Sequence, residues 1–116
     1  MIPSVIDTRI IQFIWRRKLN EILKLARDSS FQIDDVSILY HHLMKSNGDL
    51  RALNGKEYYI FKACIYPLLL IPCDGVDGSV CPGSNFIEYD LILRSYRVGE
   101  FLCSLCLYDK ELKNQI

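Results

Sequence analysis

The chain has 116 residues, of which half are apolar and 24% charged, with 14 Lys and Arg balanced by 14 Asp and Glu. That composition excludes general disorder, and zero net charge weighs against a large basic footprint for nucleic acid. Read as a single globular domain over residues 1–116, the chain buries about two thirds of its unfolded surface, so folding as such requires neither disulfides nor metal.

Charge is not spread evenly. Residues 1–62 hold ten basic against seven acidic side chains, and residues 63–116 hold four against seven. Five cysteines are an odd number, so a complete set of internal disulfides is excluded. The N-terminal segment lacks the pattern of a secretory signal, and the apolar run from Ala63 to Ile71 is interrupted by Pro67. The expectation is an intracellular protein, cytoplasmic or nuclear and not secreted, with reduced thiols and no membrane association.

In chain order, "SVIDTRIIQFIWRRKLNEILKLARD" has helical periodicity, with Ile6, Ile10, Phe13, Ile14, Ile22, Leu25 and Ala26 near one face. Ser4, with Asp7 three residues on, suits the entry. A second helix is expected over 34–45, with Val36, Leu39, Tyr40 and Leu43 as its apolar stripe. Asn47-Gly48 ends it, and a short helical turn follows through Leu50 to Leu53. "KEYYIFKACIYPLLLI" is rich in aromatic and β-favouring residues and predicts a strand over 58–64, with a helix over 56–66 as the rival. "NFIEYDLILRSY" alternates, placing Ile87, Tyr89, Leu91 and Leu93 on one side. With "RVGE" as a turn and "FLCSLCLYD" as the return strand, it predicts an antiparallel hairpin over about 86–108. The fold class expected is therefore α+β, two N-terminal helices packed on a small C-terminal antiparallel β-sheet. The polar tail 110–116 reads as frayed or as a short terminal helix.

Four thiols form two clusters, Cys73 with Cys81 and Cys103 with Cys106, and a Cys-x-x-Cys pair is a zinc-ligand spacing. Two features weigh against zinc: the wide gap between Cys73 and Cys81, and the absence of a turn-forming residue in "FLCSLCLY". On a strand, Cys103 and Cys106 would face opposite sides. No cofactor is therefore expected, and zinc or thiol chemistry at these four cysteines is a third reading. A thioredoxin-like role lacks the helix start that lowers a thiol's pKa.

Catalysis is the minor reading. His41 and His42 are adjacent on a helix and diverge by about 100°. No motif supports a Cys81–His41 or Ser84–His42 pair, and Asp74 with Asp77 lacks the alternating acidic spacing of a calcium loop. GxGxxG, GxxxxGK[ST] and HExxH are all missing.

The function expected is a non-catalytic interaction protein, a small subunit or homodimer that binds a protein partner or itself. Its contacts would fall on the first helix and the last hairpin, at Trp15, Arg16, Arg17, Leu102 and Tyr108, the last two on the outer face of the final strand. The alternative is a small nucleic-acid-binding module using Arg9, Arg16, Arg17, Lys24 and Arg27. The stretch "CDGVDGSVCPGSN" (73–85) is expected to be a recognition or flexible loop.

Overall fold

The computed structural model describes residues 2–76, 81 and 86–114. The described residues form six α-helices, α1 (Thr8–Arg17), α2 (Leu19–Asp28), α3 (Ile33–Lys45), α4 (Gly55–Cys64), α5 (Tyr89–Val98) and α6 (Ser104–Asn114), with 3₁₀ turns at Leu50–Ala52 and Tyr66–Leu69. Among the described residues the only extended pairings are two isolated bridges, Val5 with Asp49 and Pro72 with Phe86. The expected α+β fold is therefore overturned: the described residues form no sheet and are mostly helical. The chain divides into two compact units, residues 1–68 and 69–116.

In unit 1 the periodic N-terminal segment is two helices rather than one. Lys18 interrupts it at φ −119°, ψ 24°, while its N–H still reaches the Ile14 carbonyl. The reason lies in the stripe. At about 100° per residue, one continuous helix would turn Ile22 and Ala26 well away from Ile10 and Ile14. The break realigns both sets, and Ile10, Ile14, Ile22 and Ala26 are all buried. Neither Gly nor Pro marks the spot.

The stripe of α3 is as expected, with Val36, Leu39, Tyr40 and Leu43 buried. Beyond its C-terminus Asn47 and Gly48 both have positive φ. Gly48 accepts a hydrogen bond from Ile6 N–H at 2.9 Å, and Leu50 N–H donates to Ser4 at 2.9 Å. A Cβ on Gly48 would sit 1.8 Å from the Ile6 carbonyl oxygen, so only glycine fits here.

The strand expected over 58–64 is helix α4. Its start is a complete capping box: Asn54 Oδ1 accepts from Glu57 N–H, and Glu57 accepts from Asn54 N–H. Ile60, Phe61 and Cys64 turn inward from it. The aromatic content that suggested a strand serves helix packing instead. The four helices pack on one another around Ile14, Ile22, Val36, Leu39, Leu43 and Phe61, all without measurable exposure.

In unit 2 the hairpin expected over 86–108 is the helix pair α5 and α6. The alternation of "IEYDLIL" was coincidental, because burial falls on Ile92 and Ser95, a helical spacing. The Ser95 hydroxyl returns a hydrogen bond to the Leu91 carbonyl at 2.7 Å. Gly99, at φ 78°, ends α5 where a hairpin turn was expected. Glu100 accepts from Lys110 of α6 and lies 3.7 Å from the Arg94 guanidinium of α5. No described helix is long and apolar enough to cross a membrane.

Candidate metal centre

One short backbone tie brings the ends of the 73–85 stretch together, and a second fixes its start to the chain before α6. Ile87 N–H donates to the Ile71 carbonyl at 2.8 Å, beside the Pro72–Phe86 bridge. Asp74 N–H donates to the Phe101 carbonyl, also at 2.8 Å, and so sets Cys73 beside the chain that enters α6. Residues 77–80 and 82–85, with Asp77 and Ser84 among them, lie outside the described residues, so the loop reading of 73–85 is described only at its ends and at Cys81.

Cys103 immediately precedes α6 and Cys106 lies in its first turn. On a helix, positions i and i+3 share a face. The two thiols therefore point the same way, where a strand would have separated them, and both residues are 1% exposed. Cys73 and Cys81 are half-buried and pack on the same small core as Val76 and Leu102. The four Sγ atoms all lie within 4.8 Å of one another.

That spacing selects the chemistry. Cys81 Sγ and Cys103 Sγ are 3.5 Å apart, far longer than the ~2.05 Å of a disulfide. Four sulfurs around zinc at ~2.3 Å stand about 3.8 Å from each other. The observed spread brackets that distance and leaves room for one ion, not for a cluster with inorganic sulfide between several irons.

The surroundings favour thiolate at one of the four, Cys73. Cys73 Sγ accepts from the backbone N–H of Cys103 at 3.3 Å and of Gly75 at 3.4 Å. Burial pushes the Cys73 thiol up, but these two amides and the neighbouring thiols outweigh it, leaving its pKa below the ordinary value. Gly75 reaches this position at φ 77°, a conformation other residues rarely adopt. The thiols of Cys103 and Cys106 are both pushed up, by burial first; among neighbouring thiols only one charge is readily held without a cation. A divalent ion would oppose the upward push on Cys103 and Cys106. The start of α6 adds its own positive dipole end.

Glu88 holds this start in place. It is the N-cap residue of α5, and its carboxylate accepts from both the backbone N–H of Ser104 (2.9 Å) and the Ser104 hydroxyl (3.0 Å). Glu88 and Gly75 are the residues that reading the sequence missed. The signal for the helix start they serve was the helical spacing of Leu105, Tyr108 and Leu112, which runs on from within the Cys pair.

The other candidate residues are dispersed. Trp15 is half-buried and stacks on Tyr40 with ring centroids 4.3 Å apart and planes 6° from parallel. Arg16 and Arg17 are exposed, and the Arg17 guanidinium lies 5.6 Å over the Phe13 ring. Leu102 is buried in the thiol core, not outward as expected, whereas Tyr108 is exposed. Arg9, Lys24 and Arg27 are exposed on two helices, and Arg9 is bound by Asp7 at 2.6 Å. His41 is exposed with its ring edge toward Tyr40, and His42 Nδ1 lies 2.8 Å from Glu57.

Comparison with known proteins finds no family model, no curated relative and no solved structure that matches the chain.

Proposed function

We propose that this chain is a zinc-binding protein in which Cys73, Cys81, Cys103 and Cys106 form a closed structural centre that organises residues 69–116 for binding to a protein partner. The observation that carries the reading is the convergence of four sulfurs within 4.8 Å from separate places in the chain. Soft thiolates in a tetrahedral set select zinc, or a single iron, over magnesium or calcium. Four protein ligands leave no position for a substrate or an activated water, so the role is structural and not catalytic. Thiolate ligation requires reduced cysteines, in keeping with a reducing intracellular compartment.

Elemental analysis of protein purified without added metal tests this directly. One zinc per chain is expected, with cobalt substitution giving the intense charge-transfer bands of a tetrathiolate. Absence of metal, or stoichiometric zinc that survives replacement of both Cys103 and Cys106 by Ser, overturns it.

A further inference from the structure

We propose that the outward face of α6 is a docking site for a basic amphipathic helix of another protein. Leu105, Tyr108 and Leu112 are 49%, 61% and 43% exposed. Their i, i+3, i+7 spacing gathers them within about 60° of the helix circumference. The opposite side of α6 is already committed, through Cys106 and Leu107, to the thiol core. The stripe is thus a second apolar face on a helix whose first is satisfied. Three aligned apolar side chains, one of them a tyrosine, have the form of a helix-in-groove anchor set.

Charge identifies the occupant. Asp109 borders the stripe on one side and Glu111 on the other, while Lys110 is engaged by Glu100 and Lys113 follows Asp109 by one turn. Residues 69–116 as a whole carry four basic against seven acidic side chains. A second copy would set this acidic half of the chain against itself. An anionic membrane or a nucleic acid would meet the same repulsion. A helix whose apolar stripe is edged by Lys and Arg meets both flanks with opposite charge.

The proposal rests on the zinc-organised unit described above, and its test keeps the two separable. The probe is a fluorescent Leu/Lys amphipathic helix of about 18 residues, with a Leu/Glu counterpart, titrated into the full zinc-loaded chain and followed by anisotropy. Binding of the Lys helix at least tenfold tighter than the Glu helix is expected, weakening with salt. Tyr108→Ala should weaken it about tenfold and Asp109→Lys with Glu111→Lys at least as much, while Ile38→Ala on exposed α3 changes nothing. Zinc content and amide spectra of each variant confirm that its fold is intact.

Equal binding of the two helices overturns the proposal, as does indifference to Tyr108→Ala. So does a dimer in light scattering that Leu105→Asp dissociates, because the occupant is then a second copy. Preference for anionic vesicles over the Lys helix also overturns it. If the protein contains no zinc but the full pattern of peptide binding is observed, the metal reading fails and the docking site stands.

Discussion

The two units reach a buried interior by different means. Unit 1 closes four helices over aliphatic and aromatic side chains, with Ile14, Ile22, Leu39, Leu43 and Phe61 wholly buried. In unit 2 the cluster beneath α6 is Val76, Leu102, Cys103 and Cys106, with Cys73, Cys81 and Leu107 against it. More than half of that cluster is thiol. Side chains this small remove little apolar surface from water, and a segment as short as 69–116 needs a staple to fold securely. On the proposed zinc reading, the comparison teaches that one half of a chain can rest on its apolar core while the other depends on a metal.

The strongest way to break that contrast is to remove the metal. Chelation, or Cys106→Ser, is expected to remove most of the roughly 10–16 kcal/mol that structural zinc contributes at neutral pH. Amide spectra should then lose dispersion for residues 69–114, while the core of unit 1 has no ligand to lose. Unchanged spectra for 69–114 would dissolve the distinction.

The matching test in unit 1 is Gly48→Ala. A Cβ there collides with the Ile6 backbone and occupies a positive φ. A loss of roughly 3 kcal/mol or more is expected in denaturant titration, with zinc content unchanged. A third change, Glu88→Ala, strips the carboxylate from the Ser104 amide and hydroxyl. About 1–2 kcal/mol should be lost from unit 2, with weaker zinc retention against a competing chelator.

The smallest effect concerns pH. The His42 ring beside Glu57 holds its carboxyl below the ordinary glutamate value; burial opposes this and the Asn54 amide adds to it. A depressed acid stabilises the fold above its unfolded pKa, and that contribution is lost as pH falls through the folded value. Unit 1 should therefore lose stability below about pH 4.5. Glu57→Gln keeps the cap but should flatten this acid dependence, whereas Glu57→Ala should also cost about 1 kcal/mol at neutral pH. Melting curves at neutral and acid pH distinguish the two.

How far the sequence reveals this molecule depends on which signals compete. The α3 stripe and the Asn47-Gly48 stop were legible because period and punctuation agreed. At 58–64 residue preference pointed to strand, but Asn54 and Glu57 had already spelled out a helix start. At 86–108 a short alternation outweighed the helical spacing of Ile92 with Ser95, and that error propagated to the thiols. The four cysteines were visible as candidates throughout. What hid their convergence was the secondary structure assigned to Cys103 and Cys106, since a strand separates i and i+3 and a helix unites them. The interruption at Lys18 was not legible, because only packing against the other helices requires it.

The hold of Glu88 on Ser104 has a consequence for how the proposed zinc would be acquired. Cys103 and Cys106 close a loop of three residues, whereas joining them to Cys73 closes one of about thirty. The entropy of closure grows with each doubling by roughly 0.6 kcal/mol. By keeping the first turn of α6 wound, Glu88 presents the local pair as a ready-made two-toothed chelate. An ion binding as proposed would be captured there first, with the more distant thiols closing over it afterwards, so the spacing of the chain would set the order of ligation.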